Sequence, residues 1–217
     1  MREGTRKLFE NCLERFPQLE KCRGDLYSAY EAIYKCFKNH GKVLTCGNGG
    51  SASDAEHITG ELMNKLRIKR PVGPGIAGKL RSLGFTDADR ISSHLEAPLQ
   101  SISLVSQMAL ITAVSNDTSA DMIFAQQVLG YGKPGDILWA ISCSGNSSNI
   151  LNAVKVARAL DLVVIGFTGE NGGALAPLCQ IPVRFPSSVT FCIQELHLPA
   201  YHMLCAMIEE EFFAPEK

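Results

Sequence analysis

A chain of 217 residues, 46% of them hydrophobic, can bury one sizeable core and is too short for more than two small ones, so a single α/β domain over residues 1–217 is expected. A formal net charge of −1 and a pI near 6.5 exclude a global pull toward nucleic acid or an anionic membrane, so anionic ligands must be held by local groups. The eight cysteines are scattered without a CxxC pair, which argues against a cysteine-built zinc site. With no signal peptide and no apolar run of spanning length, a cytoplasmic protein with reduced thiols is expected.

From Thr5 to His40 apolar residues recur at helical spacing (Leu8, Cys12, Phe16, then Leu26, Ala29, Ile33) with a break near Pro17. That pattern predicts one long, bent N-terminal helix or two shorter ones. Gly41 stops it, and Lys42–Cys46 reads as a buried strand. The segments Ser101–Val105, Asp136–Ser142, Leu162–Thr168 and Ile181–Phe185 are short, apolar and β-branched, as parallel strands covered on both faces should be. Helical patterns lie at Ser51–Leu66, Ser119–Leu129, Ser147–Ala159 and from about Val189 to Phe213. The alternation predicts a doubly wound parallel sheet with helices on both faces. Residues 72–99 break it and read as an inserted lid or interface element, with a plain surface excursion as the alternative. The basic run Lys65, Arg67, Lys69, Arg70 reads as a solvated face rather than a DNA contact.

Two strand-to-helix loops carry the chemistry. Cys46-Gly-Asn-Gly-Gly-Ser51 follows the first strand and opens a helix, where free N–H groups and the helix dipole favour an anion. It is neither GxGxxG nor a lysine-bearing phosphate loop. The second, Ile141-Ser-Cys-Ser-Gly-Asn-Ser-Ser148, clusters Ser142, Ser144 and Ser147 around one glycine. Their hydroxyls can wrap a phosphate without adding positive charge, although capping of the helix by Ser or Asn is the alternative. On the helix after the first loop, His57 and Glu61 stand i, i+4 and so share a face. An imidazole and a carboxylate so placed suit zinc or proton transfer, or form a plain surface pair.

The segments GNGGSASDAEH, Ser142–Asn149 SCSGNSSN, Ser115-Asn-Asp117 and the late QELHLPAYH together resemble the sugar isomerase (SIS) fold family, and within it the phosphoheptose isomerases. The resemblance implies a five-stranded parallel sheet, a phosphosugar ligand and a homotetramer with active sites between subunits. It implies isomerisation of sedoheptulose 7-phosphate to D-glycero-D-manno-heptose 7-phosphate through an enediol, with Glu61 and His202 moving the protons. It also implies one zinc per subunit on His57, Glu61, Gln194 and His202. Asn48, Gly49, Gly50, Ser51, Ser142, Ser144, Ser147 and Gln194 would hold substrate, with Asp117 near its hydroxyls.

Gln194 and His202 lie eight residues apart, about 12 Å along an ideal helix. Bringing both to one metal requires either that Pro199 disturb the helix or that the two come from different subunits. His197 reads as packed or capping, and Glu195 as structural. Where phosphoheptose isomerases carry a polar Asp-Arg pair, this chain has Phe191-Cys192. The insertion offers Arg81, Asp87, Asp89, Arg90 and His94 as replacements. The competing readings are an isomerase of another phosphosugar, or a non-catalytic SIS adaptor of a protein such as the replication initiator DnaA. Neither nucleic acid nor membrane is expected as a partner.

Overall fold

The computed structural model describes residues 1–215. The N-terminal region is two helices, α1 (Glu3–Arg15) and α2 (Arg23–Lys38), joined by a 3-10 turn over Pro17–Cys22 with Pro17 at its first position. Pro17 lacks an N–H to continue α1 but is pre-set for a new turn, which decides between one bent helix and two. The chain continues through β1 (Val43–Gly47), α3 (Gly50–Met63), α4 (Pro74–Ser82), α5 (Ala88–Ser93), β2 (Ser101–Ser103), α6 (Met108–Asp117) and α7 (Ile123–Tyr131). It closes with β3 (Ile137–Ile141), α8 (Ser148–Ala159), β4 (Val163–Thr168), β5 (Ile181–Arg184) and α9 (Thr190–Phe213).

The sheet has five strands in the order β2-β1-β3-β4-β5, every neighbouring pair parallel. Side chains alternate between its two faces. Ile137, Trp139, Ile141, Ile165 and Phe167 pack with α1, α2, α3 and α9 in one cluster. Leu44, Cys46, Leu138, Ala140 and Val164 pack with α7 and α8 in the other. Burial on both faces explains why the central strands read as continuous apolar runs. From β1 the chain first winds outward to β2 and then returns to β3 on the other side. The topological switch point therefore lies between β1 and β3, beyond whose carboxyl ends open α/β sheets bind their ligands.

Several expectations are corrected. Residues 108–117 form α6, which the sequence pattern did not mark. The insertion is a helical pair: only Ala77 and Ala88 of α4 and α5 are buried, and its neck is closed by an antiparallel bridge from Pro71 to Glu96. Within it Arg81 pairs with Asp89 and Arg90 with Asp87. Arg70 is no solvated residue. It is fully buried, paired with Glu209 of α9 at 2.9 Å, and donates to the carbonyls of Leu62 (2.8 Å) and Glu61 (3.0 Å). Helix α9 runs through Pro199 unbroken, held by dense packing on α1 where the Cys12 thiol donates to the Pro199 carbonyl. All eight cysteines are free thiols, and no helix among the described residues is long and apolar enough to cross a membrane.

Candidate active site

At the switch point the two loops face each other across a cleft of about 180 Å³ lined by Asn48, Ser51, Ser142, Ser144, Ser147 and Gln194, together with Ile141, Cys143 and Thr190. Three helix N-termini converge on it: α3 begins at Gly50, α8 at Ser148 and α9 at Thr190. None of the three is capped by a side chain. Ser147 therefore does not cap α8 with its side chain, although Asn149 Oδ1 accepts from the Ile150 N–H at 3.0 Å, and the positive ends of three helix dipoles converge where an anion would sit. Among the described residues, no lysine or arginine lines the cleft. The second loop holds its shape through a Ser142 Oγ to Ser147 Oγ hydrogen bond of 3.2 Å and through Gly145, whose φ of +66° suits a residue without a Cβ.

Asn48 and Asn149 lock the loops together across the cleft mouth, each amide donating to the other at 2.9 Å. Asn149, Thr190 and Cys143 were not singled out from sequence, because their role comes from pairing across the switch point. On α9, Gln194 lies over the first loop, so close to Gly50 that a Cβ there would stand 2.6 Å from the Gln194 amide nitrogen. Gly49 precedes α3 with φ +58°.

One and a half turns further along α3 the second half of the site appears. His57 Nε2 lies 3.0 Å from Glu61 Oε1 and 3.3 Å from His202 Nε2, and the three groups form a cluster able to hold a metal ion. The 3.3 Å separation matches the edge of a tetrahedron whose zinc–nitrogen bonds are about 2.0–2.1 Å. Three lone-pair donors converging on one point suit a cation, so the side chains present fit the metal. Burial, then the neighbouring His57, push the His202 pKa below its ordinary value, against a smaller upward pull from Glu61. His202 is therefore kept neutral. Gln194 sits in the serine-lined cleft, and Asp117 ends α6 on the exposed surface, where it accepts from Asn116 at 2.8 Å and does not line the cleft. His197 is fully buried between Phe167 and Phe185, as packed rather than ligating.

The SIS-domain family profile matches residues 8–101 and 94–169 of the chain. The phosphoheptose isomerase of Shewanella loihica is 40% identical over 188 residues, which is 85% of this chain and 82% of that protein. That of Shewanella oneidensis is 39% identical over 192 residues, or 87% and 84% of the two chains. Among solved structures, a phosphoheptose isomerase from Francisella tularensis aligns with a TM-score of 0.71 at 32% identity, covering 97% of this chain and 100% of that one. The Neisseria gonorrhoeae phosphoheptose isomerase aligns at 0.69 and 30% identity over 95% and 94%. With an all-parallel 2-1-3-4-5 sheet, two hydroxyl-rich loops at its switch point and relatives matched over most of their length, the chain belongs to the SIS-domain family, among the phosphoheptose isomerases.

Proposed function

We propose that the chain interconverts sedoheptulose 7-phosphate and D-glycero-D-manno-heptose 7-phosphate, working as a homotetramer in the cytoplasm with zinc bound at each site. The observation that carries this reading is adjacency. A cleft built for a phosphate and a His/Glu/His cluster built for proton transfer occupy successive turns of the same helix, α3, facing the same helix, α9. A linear sugar phosphate can anchor at one and react at the other. Eight free thiols suit a reducing compartment. Asp117, exposed and outside its own cleft, would meet the sugar only across a subunit interface, in keeping with a tetramer whose sites lie between subunits.

In the ketose-to-aldose direction Glu61 removes a proton from C1, and the C–H electron pair becomes the C1=C2 bond of the enediol. A neutral His202, the form its lowered pKa favours, carries the hydroxyl proton from O1 to O2. Glu61 then returns a proton to C2 as the C1 carbonyl forms, and the atoms balance with no redox partner. His57, Glu61 and His202 would hold the zinc, whose Lewis acidity would polarise the carbonyl, and because α9 is unbroken at Pro199 a Gln194 serving as fourth ligand would come from another subunit. Ser51, Ser142, Ser144 and Ser147 fix the phosphate, with the backbone of Gly49 and Gly50. Asn48 and Gln194 line the sugar's path.

The test is turnover of sedoheptulose 7-phosphate followed by NMR in deuterated water, with and without chelator. Deuterium entering at C2, and loss of activity on chelation with recovery on added zinc, are expected. Glu61→Gln should lower kcat by about 100-fold or more while phosphosugar still binds. An active Glu61→Gln enzyme removes the proposed base. No turnover by folded, zinc-loaded protein redirects the assignment to another phosphosugar, which the exposed, apolar Phe191 beside Thr190 would then favour.

A further inference from the structure

The loops that follow the neighbouring strands β1 and β3 are joined at the cleft mouth by a pair of amides. Asn48 stands one residue beyond β1, and Asn149 is the second residue of α8. Asn48 Nδ2 donates to Asn149 Oδ1 and Asn149 Nδ2 donates to Asn48 Oδ1, each at 2.9 Å, which closes a ring of two hydrogen bonds. Asn48 lines the serine-bearing cleft, whereas the half-buried Asn149 does not.

A reciprocal amide pair can be built in two ways, because turning both amides over exchanges oxygen for nitrogen on each side and restores the same ring. The two bonds alone therefore leave open which group Asn48 turns to the cleft. A third bond decides. The Ile150 N–H, in the first turn of α8, donates to Asn149 Oδ1 at 3.0 Å. Turned over, Asn149 would set its NH2 group against that N–H, and two donors would face each other with no acceptor between them. An oxygen must stand there. Asn149 Nδ2 is then the donor to Asn48 and Asn48 Oδ1 the acceptor, which leaves the second N–H of Asn48 as its donor to a ligand. No lysine or arginine among the described residues lines the cleft, so neutral N–H and O–H groups are what it offers an anionic sugar.

We propose that Asn149 is a positioning residue, which carries the orientation of the α8 backbone to the amide of Asn48 and so fixes the group that Asn48 presents to a sugar phosphate. The consequence for turnover rests on the isomerase reading given above, whereas the amide orientation does not. An interaction made equally to bound substrate and transition state shows in KM and spares kcat.

Asn149→Ala removes the amide and leaves a good helix former in α8. Asn149→Asp keeps an oxygen for the Ile150 N–H and for Asn48 Nδ2 and gives up only the donation to Asn48 Oδ1. The first readout is the set of nuclear Overhauser cross-peaks of the Ile150 N–H in ligand-free protein, with the two side-chain amides assigned by their loss in Asn48→Ala and Asn149→Ala. With both donors on Asn149 Oδ1, the Ile150 N–H is expected to show a cross-peak with the Asn48 NH2 in the wild type and in Asn149→Asp, and none in Asn149→Ala. The second readout is turnover of sedoheptulose 7-phosphate by Asn149→Ala, with KM expected to rise about 3–10-fold and kcat to stay within about twofold of wild type. A stronger wild-type cross-peak from the Ile150 N–H to the NH2 of Asn149 itself means that the pair is turned over, and overturns the assignment. A cross-peak to Asn48 that persists in Asn149→Ala overturns it too. An unchanged KM, or a fall in kcat at constant KM, overturns the role in presenting Asn48 to substrate. Wild-type protein that shows the Asn48 cross-peak but turns over no sugar phosphate removes the isomerase reading and leaves the amide orientation standing.

Discussion

At the scale of single residues, what could be read from sequence was the chemistry that sits close together along the chain. His57 and Glu61 are one helical turn apart, and Ser142, Ser144 and Ser147 share one loop, so local spacing announced both. Tyr201 and Asn149 escaped notice because their partners are distant in sequence: Tyr201 meets His57 across 144 positions and Asn149 meets Asn48 across 101. Gly145 shows how strictly the second loop is built. Its φ is +66°, and a Cβ there would stand 2.2 Å from the backbone oxygen of Gly172. No side chain can move aside to relieve that contact. Gly145→Ala should therefore distort the serine loop, raising the KM for sugar phosphate at least about tenfold and costing roughly 1–3 kcal/mol of stability in urea titrations. A Gly145→Ala protein with wild-type KM would mean that the loop's shape does not govern phosphate binding.

At the scale of elements, strand identity was legible because two-sided burial leaves continuous apolar runs, and helix ends were displaced where side chains from elsewhere finish them. Helix α3 was expected to reach Leu66 but stops at Met63, because the buried Arg70 takes the carbonyls of Glu61 and Leu62 while Glu209 collects the N–H groups of Leu66, Arg67 and Ile68. That pair pins the end of α3 to α9 and so holds Glu61 opposite His202. A second stitch joins α1, α2 and α9: Glu211 Oε1 accepts from the Arg2 N–H at 2.8 Å and from the Tyr30 hydroxyl at 2.9 Å. Burial alone would raise the Glu211 pKa, but these hydrogen bonds outweigh it and leave it below its ordinary value. A folded-state pKa below the unfolded value stabilises at pH above the unfolded value, and that contribution fades as pH falls through the folded one. Tyr30→Phe should thus cost about 1 kcal/mol at pH 7, and the difference from wild type should shrink below about pH 4.5, as read by urea unfolding across pH. A cost independent of pH would place the effect of Tyr30 in ring packing instead.

At the scale of the whole molecule, alternation of strand and helix set the doubly wound sheet, and the sheet order set where a ligand could go. The insertion resisted such reading because nothing in its composition says whether it is structural. Its anchoring answers the question for the fold. The Ala97 N–H donates to the Arg70 carbonyl, the Arg70 N–H donates to Glu96, and Pro71 bridges Glu96, so the chain enters and leaves the insertion at adjacent points. Beyond that neck Ile76, Leu83, Phe85 and Leu95 are exposed and α4 and α5 bury only two alanines, so little apolar area is at stake. Replacing residues 72–95 with Asn-Gly, a two-residue turn suited to an antiparallel pair, should leave the fold standing. Loop-closure entropy even predicts a gain of up to about 2 kcal/mol, since each halving of a flexible loop recovers about 0.6 kcal/mol. Urea unfolding checks the first point, and a loss of more than about 2 kcal/mol would make the helical pair part of the core. With the fold intact, KM and mass then separate the remaining roles: unchanged values make the insertion a surface excursion, a raised KM makes it a lid over the cleft, and a fall in mass from the proposed tetramer to a smaller species makes it an interface.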